Sequence, residues 1–399
     1  MGSSHSHVTE DTDLGPTPRS VLTALVALIV PLVLATGVGL LVLWPDEDVE
    51  VVPPGYAAQR AHGTVLDVHP CELEVRGCKA GTVELRSGPG SPGEVEALLP
   101  FGKQAPVVEA GDRVILAFVE QAPRGEQYSF QDFDREQPLL ILLVLFVVSV
   151  LLLSRLRGVG SLVSLGFTLL LLVTFTLPAI MQGGPPLAIA VVTAATVMLV
   201  TLYLSHGFSV RTSVAMVGTL VSLLVIGLLG SLFSQLGQFT GMVDEGSQYI
   251  ATVARQVDLT GLLLAGLVIG ALGVLDDVTV TQTWAVWELA DADPDATRAT
   301  LFRRAMRIGR SHVASTVNTL VLAYVGATLP LLLVFSALEL PFGSAVSQEI
   351  VAQEVVRGLV GGLGIVAAVP VTTAIAAVVA ASTLRSSRGR TRKRQTSAR

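Results

Sequence analysis

Charge is scarce in this sequence, and the scarcity sets the class of protein. Of 399 residues only 15 % are charged and 5 % aromatic, whereas 51 % are hydrophobic. A soluble domain of this length carries about 25 % charge, so the balance excludes an ordinary soluble enzyme and predicts an α-helical polytopic membrane protein. Cysteine is almost missing as well. With only Cys71 and Cys78 in the chain, a disulfide framework is excluded, and one bridge or two free thiols remain. A structural zinc site would need His62 or His69 to join them, and His5 and His7 are too few for a site of their own. No Gly-rich P-loop is present, which excludes an ATP-driven pump within this chain. An aspartyl protease needs carboxylates from two separate helices, and a serine mechanism needs a buried Ser and His. The spans supply neither, since Asp276 and Asp277 are adjacent and His206 and His312 fall at loop boundaries. No enzyme activity, metal or cofactor is expected.

What is abundant is long apolar sequence. Val21 to Leu43 has the length of a membrane span, with Trp44 at its edge as an interface anchor. Further apolar runs lie near 139–153, 160–180, 186–204, 213–234, 259–275, 313–336 and 358–381, which makes about eight transmembrane helices. The segment before the first run, 1–20, is polar, carries Pro16 and Pro18, and reads as a disordered N-terminus rather than a cleavable signal.

Between the first span (21–44) and the seven-helix membrane domain (138–384), residues 45–137 change character. GTVLDV, TVELR, GEVEALL and DRVILAFV alternate or run apolar between Gly and Pro punctuation, the pattern of short strands. They predict an inserted small β-barrel of OB-like or SH3-like type. Such barrels often bind nucleic acid, but this segment is acidic and no nucleic-acid partner is expected.

Basic residues set the orientation. Arg19, Arg155, Arg157, Arg211, the group Arg298, Arg303, Arg304, Arg307 and Arg310, and the basic tail 385–399 all fall on one side of the predicted spans. The positive-inside rule then places both termini in the cytoplasm and the barrel outside it. The tail is expected to be disordered, and the segment 291–310, capped at Asp293 before Pro294, forms a basic helix whose positive surface faces anionic lipid. Some of its arginines, Arg307 and Arg310 first, are placed to face the Asp276–Asp277 pair. Two outer loops repeat apolar residues at helical spacing, Tyr249, Ile250, Val253 and Val257 in one and Ile350, Val351 and Val355 in the other, and both predict surface helices.

Two carboxylates, Asp276 and Asp277, follow the run that contains Gly266, Gly270 and Gly273. Ionisable groups at a span cost roughly 2.5–3.5 kcal/mol, so they pair, meet water or carry function. Asp276 is expected at the cytosolic boundary, solvated. Helical spacing puts Asp277 near the glycine face, which is expected to pack against other helices, and makes it the candidate for binding a proton or cation. Asn318 lies inside the next span and needs a hydrogen-bond partner, as helix glue or as part of a site with Thr319. Glu354 and Arg357 form an i,i+3 pair, expected to be exposed.

Three blocks, GALGVLDDV, IGRSHVASTVNTLVLAYVGATLPLLL and QEIVAQEVVRGLVGGLGIVAAVPVTTAIAA, resemble the YibE/F-like integral membrane proteins of bacteria, over most of residues 60–381. The family's Asp after the Gly-rich helix falls on Asp277, its Asn-Thr-Leu before a Tyr on Asn318, Thr319, Leu320 and Tyr324, and its Glu and Arg on Glu354 and Arg357. The sequence departs from the family after Asp277, where it reads VTVTQTWAVWEL. The resemblance implies a multi-pass protein of the bacterial plasma (inner) membrane, with transport the usual assignment. The sequence thus predicts a transporter or channel-like permease for a small solute or ion, with a polar site at Asp277, Asn318, Thr319, Asp276 and Tyr324. The alternative is a cell-envelope scaffold whose barrel binds a partner. The lipid bilayer is the expected surrounding, and a homo-oligomer fits either reading.

Overall fold

The computed structural model describes residues 14, 17–46, 59–71, 77–123 and 125–397, with backbone alone for 156–157 and 387–397. Most of the segment expected to be disordered, 1–20, lies outside the described residues, as do the side chains of most of the basic tail. The chain divides into two compact units, residues 50–158 and residues 1–49 with 159–399.

Among the described residues the first unit holds five strands: β1 (Gln59–Pro70), β2 (Lys79–Ser87), β3 (Gly93–Leu99), β4 (Arg113–Phe118) and β5 (Tyr128–Phe133). They form a closed barrel in the order β1-β2-β3-β5-β4, with β4 pairing back to β1 and β3–β5 the parallel neighbours. Closure removes the unpaired edges that an open sheet of this size would expose. Alternation sets the interior: Ala61 and Val65 of β1, Val83 and Leu85 of β2, Leu116 of β4 and Tyr128 of β5 share one core. At the β1 register shift the strands approach closely, and a Cβ on Gly63 would meet the Val83 side chain and the Glu84 carbonyl. Cys71 and Cys78 are joined in a disulfide across the β1–β2 connection, Cα atoms 5.4 Å apart. The histidines go elsewhere. His62 Nδ1 lies 3.6 Å from Asp134, and His69 Nδ1 lies 3.2 Å from the Pro70 carbonyl.

After β5 the chain enters α2 (Glu136–Leu171), which is broken at Arg155, with φ 52° and ψ −133°. A π-helical turn, Leu172–Thr176, leads into α3 (Leu177–Met181). Pro178 has no N–H to return to the preceding turn, and the wider turn just before it accommodates that loss.

The helical unit also contains α1 (Arg19–Val42), α4 (Pro186–His206), α5 (Val210–Leu236), α6 (Glu245–Val253), α7 (Leu259–Ala292), α8 (Arg298–Ala337), α9 (Phe342–Ser347) and α10 (Glu349–Ser397). Eight helices among the described residues are long and apolar enough to cross a membrane, in agreement with the eight apolar runs. The centre is built by α4, α5, α7 and α10, whose Ile189, Met198, Met216, Ile226, Leu275 and Ile365 are fully buried. In lipid, helices gain little from hydrophobicity against one another, so close packing and hydrogen bonds must hold them. Both occur here. A Cβ on Gly364 of α10 would collide with Ile226 of α5, so glycine lets these two helices touch. Buried Thr219 and Thr279 hydroxyls pair at 2.6 Å between α5 and α7, and Gln282 of α7 donates to the Ala305 carbonyl of α8 and to Thr373 of α10.

Several expected boundaries move. The run ending at 275 is only the first half of α7, which continues unbroken to Ala292, where buried Val278, Thr279, Gln282, Thr283 and Val286 recur at helical spacing. Thr297, not Asp293, caps α8, accepting a hydrogen bond from Thr300 N at 3.2 Å. Asp293 instead ends α7 and pairs with Arg304 at 2.8 Å. The first of the two loops expected to carry surface helices does hold a short one, α6, started by a capping box between Asp244 and Ser247. The second predicted surface helix is the opening of α10 itself, and the tail, expected to be unstructured, continues that helix to Ser397.

Candidate functional site

Because α7 runs straight through the acidic pair, Asp276 and Asp277 point about 100° apart. Asp276 turns toward the packed side. Its neighbours at helical spacing, Leu272 and Thr279, are buried, and one of its carboxylate oxygens, Oδ1, is enclosed without a hydrogen-bond partner. Its carbonyl accepts a hydrogen bond from Thr279 Oγ1 at 3.2 Å, and that hydroxyl is the one paired with Thr219. An enclosed, unmatched carboxylate oxygen inside an apolar bundle is costly unless a proton or cation joins it.

Asp277 reverses its expectation. It does share a face with Gly266, Gly270 and Gly273, but that face is open: a Cβ at Gly266 or Gly273 would meet nothing within 4 Å. The Asp277 side chain is 70 % exposed, and its Oδ2 lies 3.7 Å from Nε2 of His312 on α8. That nitrogen is itself enclosed and without a hydrogen-bond partner. His312 is not at a loop boundary but well inside α8, so two titratable groups, Asp277 and His312, meet where α7 and α8 approach. Arg307 and Arg310 do not reach the pair; their helix meets its acid at Asp293 through Arg304.

The other candidate residues gather elsewhere. Glu354 and Arg357 pair at 2.5 Å with side chains only 23 % and 26 % exposed, so the pair is half-buried rather than solvated. Tyr324 stands within reach of both charges, and its hydroxyl would lie 3.4 Å from a Cβ at Gly270. Arg357 borders a cavity of about 10 Å³ with Ser234 and Gln353, room for roughly one water. Asn318 and Thr319 lie on the exposed side of α8, where Thr319 bonds only its own helix at Ser315 O. The structure therefore brings Asp277 to His312, keeps Asp276 on the packed side of α7, places Tyr324 near Glu354 and Arg357, and leaves Asn318 and Thr319 apart from both groups. Neither His312 nor the carboxylate of Glu349, which accepts from Thr240 N, Gly241 N and Gln353 Nε2, stood out in the sequence. Among the described residues no group of three His, Cys, Asp or Glu is arranged to hold a metal ion.

No curated protein and no solved structure matches the chain. The sequence model of the YibE/F-like protein family matches residues 142–382, so the likeness covers the helical domain and stops short of the barrel, where the three sequence blocks had suggested a start near residue 60. Matched over more than half its length, and built from helices long and apolar enough to cross a membrane, the chain belongs to the YibE/F-like protein family.

Proposed function

We propose that the protein is a permease of the bacterial plasma membrane that moves a small solute or ion, using Asp276, Asp277 and His312 to bind a proton or cation. The observation that carries this reading is the enclosed, partnerless Oδ1 of Asp276 within an apolar helix bundle. Asp276 takes the central role that the sequence had given to Asp277, and the exposed Asp277–His312 pair is the route by which a proton reaches it. In this reading the arginine-rich ends and both termini are cytoplasmic, the barrel is extracytoplasmic and OB-like, and the chain carries out no covalent chemistry.

Proteoliposomes loaded with a pH-sensitive dye test it. Asp276→Asn is expected to abolish proton or cation movement while the protein stays folded in detergent. Asp277→Asn is expected to keep the flux and shift its pH dependence. Wild-type flux in Asp276→Asn, or loss of the folded protein in that variant, overturns the assignment.

A further inference from the structure

At 1.5 Å per residue the 40 residues of α8 span about 60 Å, twice the roughly 30 Å of a hydrocarbon core. Its apolar part begins at Val313, so the turns from Arg298 to Arg310 stand at the level of the lipid headgroups and beyond. There Arg303, Arg307 and Arg310 recur at i, i+4 and i+7 and, with Arg304, line a groove of about 650 Å³. Phe302 and Met306, both partly buried, give the groove an apolar floor.

The charge in this groove is unevenly matched. Arg304 is held by Asp293 at 2.8 Å, and Arg303 spends its Nε on the Ala299 carbonyl of its own helix. Among the described residues no carboxylate lies within ion-pair distance of Arg307 or Arg310. Guanidinium forks fit phosphate oxygens in a two-point geometry that solvent does not reproduce. A ligand that satisfies the whole groove needs phosphate for the forks and apolar substance for the floor. It must also lie at the edge of the bilayer.

We propose that the groove formed by Arg303, Arg307 and Arg310 over Phe302 and Met306 is a binding site for the headgroup phosphate of an anionic phospholipid. The site is discrete, unlike a diffuse positive surface, because two guanidiniums on one helix face share one ligand. It stands independently of transport. Arg310 is two residues from His312, so an occupied groove also steadies the stretch of α8 that approaches Asp277.

The test uses the purified full chain in nanodiscs of phosphatidylcholine with or without phosphatidylglycerol, followed by native mass spectrometry for retained lipid and by thermal unfolding. Retained phosphatidylglycerol and a raised Tm are expected for the wild type. The double variant Arg307→Gln/Arg310→Gln should bind it on the order of thirtyfold more weakly, from the usual contribution of each basic residue near an anionic surface. Arg298→Gln, which bonds Ser382 outside the groove, is the control and should bind normally. Should the double variant fail to fold, Arg307→Lys/Arg310→Lys keeps the charge but not the forks and is expected to bind several-fold more weakly. Equal loss in the control, or full retention by the lysine variant, means diffuse attraction and overturns the site. Inorganic pyrophosphate binding the wild type in detergent while phosphatidylglycerol gives no retention overturns the lipid assignment in favour of a soluble phosphate ligand.

Discussion

Asp134 shows how much a single carboxylate does at the end of the barrel. It accepts a hydrogen bond from Glu136 N at 3.0 Å and faces Arg113 and His62, and these partners hold it below the usual carboxylate range against the opposing effect of desolvation. A folded-state value depressed below the unfolded one, about 3.9, stabilises the fold above that pH and ceases to do so as pH falls through the folded value. Hydrogen exchange of peptides spanning β4 and β5 in the full-length protein, corrected for intrinsic rate, should therefore quicken from about pH 5 to pH 3. Asp134→Asn should flatten that dependence; an unchanged profile would show that Asp134 does not govern it. For the candidate site, the sequence yields relations of another kind. Spacing places Asp277 on the face of Gly266, Gly270 and Gly273, and the structure keeps it there. Which face is covered depends on where α8 and α10 lie, and no local pattern encodes that. His312 was illegible for the same reason: it meets Asp277 only through the crossing of two helices.

At the scale of elements, the apolar runs marked the eight long apolar helices and the alternating segments marked the strands. The second half of α7 was hidden by its composition. VTVTQTWAVWEL carries too much Thr and Gln to read as a span, yet Val278, Thr279, Gln282, Thr283 and Val286 recur at helical spacing and are all buried. Thr279 and Gln282 find their partners on other helices and Thr283 on its own, which a hydropathy average does not register. Helix contact here rests on shape as much as on polarity, and α5 against α10 provides the measurement. Gly364→Ala adds a methyl where Ile226 already sits and should lower stability by about 1–3 kcal/mol. Ile226→Ala alone should cost about 2–5 kcal/mol through the cavity it opens. The double variant should lose less than the sum, since each change makes room for the other. Strict additivity of the three Tm shifts in detergent would mean that the two positions do not touch.

For the whole molecule, the family match and the barrel divide the chain: residues 142–382 carry the shared part, and the barrel with its Cys71–Cys78 disulfide lies outside it. Orientation is the first property to measure at this scale. Alkaline phosphatase fused after Glu120 should be active and a fluorescent reporter fused at Arg399 should be bright if the arginine-rich ends face the cytoplasm. The reverse pattern would invert the proposed topology. The acidic pair near the middle of the 34-residue α7 also bears on how the chain enters a bilayer. Asp276, whose Oδ1 is enclosed and partnerless, is the costly member of that pair for a helix entering a bilayer, at up to roughly 2.5–3.5 kcal/mol, and the apolar first half of α7 has to offset it. His312, which approaches the other member, Asp277, belongs to the helix synthesised next. A contact between successive helices can close only once both have been made, so the Asp277–His312 approach forms when α8 settles against α7.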